Sequence, residues 1–240
     1  MLLEYPTKEE WNTIAQLFPP KQLSINIEDF NIDVKGDNFD AFIRHFTTLP
    51  WVLLLTRKLN ETYRSFIISM YFFKKGIPDD EWFIINENGS ITYYPHFNDH
   101  MHRIKSQFDY YSDNFYHKYF SALDIIGHIL NEMLKLNLKI SAVTFDKALK
   151  GAKSVKPILC ELIEKEKSKK EFKVARQCRD NFTHKFSPCD IGPGYIKKNN
   201  CISFGGGDYT TSKEIINNQL AMLEIMEEIL KIIRRFNVEE

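Results

Sequence analysis

The chain has 240 residues, of which 43% are hydrophobic and 27% charged, and its 32 Lys plus Arg are balanced by 32 Asp plus Glu. That length can bury a core without staples, and the composition excludes a disordered chain, a fibre and a protein that grips nucleic acid by uniform positive charge. Four cysteines are too few and too scattered for a secreted disulfide scaffold.

The first residues, Met1 to Pro6, show no cationic region followed by an apolar run. The longest apolar stretches, Trp51 to Leu55 and Phe66 to Phe73, fall short of the ~18 residues a membrane span needs. The expectation is a soluble, cytoplasmic protein with no membrane partner.

Residues 1–36 read as an irregular N-terminal extension, with a short helix around Trp11 and an extended segment at Ser24 to Ile27. Helical character begins at Asp37. Pro50 suits the first turn of a helix, so Trp51 to Lys75 is predicted as one long helix ending at Gly76-Ile77-Pro78. Residues 82–94 switch to a strand pattern around Asn88-Gly89, a type I′ hairpin signal. Asn98 is the expected N-cap of a helical stretch to about Leu138, either one helix or two joined near Ser112-Asp113. A short helix follows at Thr144 to Lys150, and another starts near Ser154 with Pro157 in its first turn.

Two capping boxes come next, Ser168 with Glu171 and Thr211 with Glu214. They open helices to about Thr183 and about Phe236. Residues 187–210 between them form a Gly/Pro loop without periodicity. The last helix repeats apolar residues at spacings of three and four, from Ile215 through Leu223 and Met226 to Ile233. Residues 37–240 are therefore expected to be a mainly all-α, four-helix bundle with an inserted hairpin.

Zero net charge hides an asymmetry. Residues 147–179 carry 11 Lys/Arg against four Glu, a net of +7, whereas residues 1–146 carry a net of −5. Such a run is usually a solvated helix face; beside a site it would attract phosphates.

The segment Arg179-Asp180-Asn181-Phe182-Thr183-His184 carries the chemistry. Phe172, Ala175, Cys178 and Phe182 share one apolar face of a helix, and Arg179 falls at its edge. His184 lies ~140° further round an ideal helix. The two groups converge within one chain only if the helix stops near Phe182 or Thr183 and the chain turns back, which Ser187-Pro188 would allow.

This segment resembles the R-[polar]-x-x-x-H signature of the HEPN superfamily (higher eukaryotes and prokaryotes nucleotide-binding), and residues from about Tyr93 to Phe236 are similar to a bacterial branch of it. The resemblance implies a motif at the end of the bundle's third helix and a metal-independent, toxin-like endoribonuclease without cofactor. In that reading Arg179 binds the scissile phosphate and His184 serves as general base or acid. Asp180 orients one of them, and Arg176, Lys173, Lys170 and Lys185 line the RNA path. The implied products are a 2′,3′-cyclic phosphate and a 5′-hydroxyl. The implied partners are RNA or nucleotide, a second copy of the chain whose motif faces the first, and an antitoxin. The alternative is a non-catalytic binding or dimerisation module of the same fold, with Arg179 and Asp180 a helix-end ion pair and His184 held by the helix dipole.

Other constellations are weaker. Cys178, His184, Cys189 and Cys201 match no common zinc spacing, and no metal is expected there. His96, His100 and His102 straddle the expected cap at Asn98, which places His96 outside the helix. Gly205-Gly206-Gly207-Asp208 lacks the strand and the Gly-Lys-Ser of a P-loop. Trp82, Tyr93, Tyr94, Tyr110 and Tyr111 could stack bases but read as packing.

Overall fold

The structure, a computed structural model, describes residues 5–19, 23–30, 39–191, 193–198, 201–206 and 208–238. Asp37, Pro20 and Gly207 lie outside them, as does the side chain of Cys201. The elements in chain order are α1 (Lys8–Ala15), α2 (Phe39–Lys74), β1 (Phe83–Ile85), β2 (Ile91–Tyr93), α3 (Asp99–Met133), α4 (Phe145–Ala152), α5 (Pro157–Ser168), α6 (Lys170–His184), β3 (Pro193–Lys198), β4 (Cys201–Gly206) and α7 (Ser212–Val238). The protein is mainly α-helical, as its periodicity predicts.

The chain divides into two compact units. The first comprises Met1–Leu17, Ser65–Tyr116 and Val174–Ala221. Its core includes Phe66, Ile67, Phe108, Phe115, Tyr116 and Ile215, all at most 1% exposed. The second comprises Phe18–Arg64, His117–Lys173 and Met222–Glu240. Leu55, Tyr119, Ile126, Ala148, Ile163 and Met226 are fully buried there. The N-terminal segment is not a bare appendage, because Ile14, Phe18, Leu23, Ile25 and Phe30 are all buried.

α1 is opened by a capping box, Thr7 with Glu10. The extended segment expected at Ser24 to Ile27 is absent: residues 24–26 have no regular structure and Ile27–Phe30 is a short 3-10 helix. The start expected at Pro50 is also corrected, because α2 runs through Pro50. The proline removes one rung of the helix ladder. Buried Thr48, Val52 and Leu55 on either side hold the helix against that loss.

The hairpin pairs Phe83 with Tyr93 and Ile85 with Ile91. Its turn is not type I′. Only Gly89 takes a positive φ, +78°, and its N–H donates to the Asn86 carbonyl at 2.9 Å. The Asn88 side chain instead accepts from the Ser90 N–H at 3.0 Å. This is the three-residue loop in which a turn is followed by a glycine bulge.

Asn98 caps α3 as expected, with its Oδ1 accepting from the N–H groups of His100 and Met101 at 3.0 Å each. α3 is a single helix that stops at Met133, short of Leu138, where Lys135 and Asn137 enter the left-handed region. The loop of residues 187–210 carries an antiparallel pair, β3 with β4, that its Gly/Pro composition concealed. Ser168 does not cap α6. It is the last residue of α5, and its hydroxyl donates to the Lys165 carbonyl at 2.7 Å. The box at Thr211 and Glu214 forms: the Thr211 N–H donates to the Glu214 carboxylate at 2.9 Å, and the Glu214 N–H donates to the Thr211 hydroxyl at 3.3 Å.

Candidate functional site

The motif occupies the last turn and a half of α6. Ala175 and Cys178 are buried, and Phe182, half-buried, lies against Tyr116 with ring centroids 6.0 Å apart. Tyr116, from α3, is fully buried and donates its hydroxyl to Asn218 Oδ1 at 2.9 Å. These contacts set the rotation of α6 and with it the direction of every motif side chain.

Arg179 sits at the edge of the apolar face. Its Nε lies 2.9 Å from Asp180 Oδ1, and the two side chains are 38% and 48% exposed. The Arg179 Nε itself is buried, while the rest of that side chain and Asp180 are part-exposed. The Thr183 hydroxyl donates to the Arg179 carbonyl at 2.8 Å, which closes the last turn.

His184 is exposed and is the final helical residue. The early stop expected near Phe182 or Thr183 does not occur, since even the Lys185 N–H continues the ladder, donating to the Asn181 carbonyl at 3.0 Å. An unbroken helix turns ~100° and rises ~1.5 Å per residue, so His184 is ~140° around from Arg179 and about 7.5 Å along the axis. The two do not converge within one chain. Asp180 stands between them, paired with Arg179 and on the line of His184 at the i, i+4 spacing. Lys173, Arg176 and His184 share the outward half of α6, with Lys170 one turn before them. Lys170, Lys173 and Lys185 are exposed.

The cationic run is partly neutralised. Lys167 Nζ reaches Asp146 at 2.8 Å and Glu164 at 2.6 Å, and Lys169 meets Glu166. A groove of about 500 Å³ between α4 and α5 is lined by Lys150 and Lys153 on a floor of Leu149, Pro157 and Cys160, and Glu161 and Glu164 offset their charge.

Cys178 and Cys189 are poor ligands. Burial pushes the Cys178 thiol up to about 11 and the Cys189 thiol upward too. Among the described residues no group of three His, Cys, Asp or Glu is arranged to hold a metal ion. His96 lies outside α3 and pairs with Glu81 at 2.7 Å. No described helix is long and apolar enough to cross a membrane.

One group of polar residues beside the motif escaped the sequence reading. Lys105 Nζ, from α3, donates to both oxygens of Asp109 at 3.0 and 2.7 Å and to the Cys189 carbonyl at 2.9 Å. Asp79 is 1% exposed and accepts from the Tyr209 hydroxyl at 2.7 Å, the Ser212 N–H at 2.9 Å and the Ser212 hydroxyl at 2.6 Å. The available signal was Lys105 and Asp109 falling on the same stripe of α3 as Tyr116, four and eleven positions on.

A family model, described as Cthe2314-like HEPN, matches residues 51–237. The chain belongs to the HEPN superfamily. The HEPN match spans the motif, the hairpin and the helical chain from Trp51 onward. No curated protein and no solved structure matches it.

Proposed function

We propose that the protein is a metal-independent endoribonuclease whose site is complete only when two chains bring their motifs together. The observation that carries this reading is the disposition of α6. A part-exposed Arg179–Asp180 pair and an exposed His184 end one helix, all present but turned too far apart to act on one phosphate from one chain. A two-fold axis beside this helix end would set the guanidinium of one chain opposite the imidazole of the other.

In such a site Arg179 leaves Asp180 for the scissile phosphate. The exchange costs little, because an exposed ion pair contributes at most about 1 kcal/mol. His184 takes the proton of the 2′-hydroxyl as its oxygen attacks phosphorus while water protonates the departing 5′-oxygen, or gives the 5′-oxygen its proton while water takes the one from the 2′-hydroxyl. The P–O5′ bond breaks, leaving a 2′,3′-cyclic phosphate and a 5′-hydroxyl. The Arg179 guanidinium offsets the charge that builds on the equatorial oxygens. Asp180, now free of Arg179, orients the imidazole one turn away. Lys170, Lys173, Arg176 and Lys185 guide the flanking phosphates. An antitoxin that covers this helix end would silence the enzyme.

The test is RNA cleavage in EDTA by the purified dimer, with Arg179→Ala and His184→Ala as controls. Loss of cleavage in both variants supports the proposal; intact RNA with the folded wild-type dimer overturns it. A second reading, a non-catalytic HEPN binding or dimerisation module, is favoured by the ~140° between the two groups. It requires wild-type and His184→Ala proteins to behave alike.

A further inference from the structure

Buried ion pairs seldom add stability beyond what apolar residues of the same size would give. One is nevertheless placed just beyond the motif. The side chain of Lys105 is 8% exposed and that of Asp109 is 23% exposed. With Ser112 and Tyr116, both fully buried, they occupy positions i, i+4, i+7 and i+11 of α3, a single stripe. The stripe grips the α6 segment within its motif and beyond it. Before His184, Tyr116 packs on Phe182 and touches Cys178. Downstream, the Lys105 ammonium spends its third hydrogen on the Cys189 carbonyl.

The downstream anchor is reinforced. The Thr210 N–H donates to the Pro188 carbonyl at 2.8 Å, so two consecutive carbonyls after α6 are held. The Ser187 hydroxyl accepts from the Cys189 N–H at 3.1 Å, and the Ser187 carbonyl accepts from the Asp190 N–H at 3.1 Å. Lys105 also lies over the Tyr209 ring at 5.4 Å, and Tyr209 is itself fastened to Asp79. An apolar pair on α3 would fill the same space but could not seize a carbonyl.

We propose that Lys105 and Asp109 are positioning residues for the α6 motif: they pin the chain at Cys189, and thereby fix the orientation of the helix end that presents His184. The effect on catalysis rests on the nuclease reading; the pinning does not.

Amide hydrogen exchange of the purified protein tests it. In wild type the Asp190 and Thr210 amides are expected to exchange at least about a hundredfold more slowly than in a free peptide. Lys105→Met and Asp109→Asn are expected to speed exchange there by about tenfold or more, leaving residues 59–74 of α2 unchanged, while Lys105→Arg retains most of the protection. Against RNA, Lys105→Met should lower kcat by about tenfold with KM within twofold, the mark of lost positioning rather than lost binding. Wild-type amides without protection, or variants with unchanged exchange at residues 185–191, overturn the proposal. So does exchange accelerated equally in α2, which would mean a merely structural pair. If Lys105→Met does not fold, the wild-type amides and Lys105→Arg decide. A wild-type dimer that leaves RNA intact but loses protection in Lys105→Met sinks the nuclease reading and keeps the anchor.

Discussion

Asp180 Oδ1 lies 2.9 Å from Arg179 Nε, while the same carboxylate stands one helical turn from His184. The acid thus pairs with one of two groups that the helix turns apart and sits a turn before the other. What this pair does depends on whether a second chain supplies the missing partner.

Complementation between dead variants reads that directly. If each site combines Arg179 of one chain with His184 of the other, Arg179→Ala mixed with His184→Ala regains cleavage. Half of the dimers are then hybrids with one intact site each, so about a quarter of wild-type activity is expected. Each variant alone should lose at least about a hundredfold. A mixture as inactive as its components would place both groups of a site in one chain.

Asp180→Asn should leave the fold intact, since both side chains are part-exposed and such a pair contributes at most about 1 kcal/mol. Thermal unfolding is expected within about 2 °C of wild type. Cleavage should fall by about tenfold if the carboxylate orients the imidazole. A large loss of Tm would mean that Asp180 serves the fold.

Asp109 gives a pH signature. Burial raises its carboxyl from the ordinary 3.8 to about 6, against the pull of Lys105 and its hydrogen bonds, with Asp190 adding to the rise. Tyr94 and Tyr209 face the same pair. Burial alone would lower the Lys105 ammonium, but Asp109, Cys189 and Tyr94 together raise it. Because the folded carboxyl binds its proton more tightly than the unfolded one, this group makes the protein more stable as pH falls from about 7 towards 4, by about 2 kcal/mol. Glu61 works the other way. Its hydrogen bonds from Lys58, Lys118 and Arg57 lower it to about 2, so its stabilisation is present above the ordinary 4.5 and fades only below that. Urea unfolding at pH 7.5 and 5 should therefore show a gain on acidification that Asp109→Asn abolishes; an identical pH response in both proteins would refute the assignment.

Asp79→Ala should be among the most damaging substitutions. It strands the Tyr209 hydroxyl and both donors of Ser212, the first residue of α7, with no solvent to replace the carboxylate. Losing a buried acceptor of this kind costs about 3 kcal/mol, measurable as a lower urea midpoint at unchanged slope.

Gly127→Ala tests a close approach. A Cβ there would lie 3.0 Å from the backbone N and Cα of Phe145, the first residue of α4. That entry is already fixed by the Phe145 N–H donating to Asp124 Oδ1 at 3.0 Å. Helix propensity favours alanine by about 1 kcal/mol, but moving backbone costs about 1–3 kcal/mol, so net destabilisation is expected. A more stable variant would show that α4 can shift.

Local chemistry was enough to read the helices, the Asn98 cap, the Thr211 box and the apolar face of α6, because each depends on residues within one or two turns. The kinship was legible too, from six consecutive residues read together with the order of the helices around them. The path through Pro50 and the end of α6 at His184 were decided by packing: buried neighbours outweigh a missing rung, and a helix stops where the ladder runs out rather than where a motif would like it to. The Asn88-Gly89 turn went the same way, since a single positive φ sufficed once the Asn88 side chain found Ser90. The anchors at Cys189 and Asp79 join residues 84 and 133 positions apart, and no local pattern encodes a partner at that range. Only the tertiary structure turns a lysine and an aspartate on an apolar helix from an oddity of composition into the fastening of the motif.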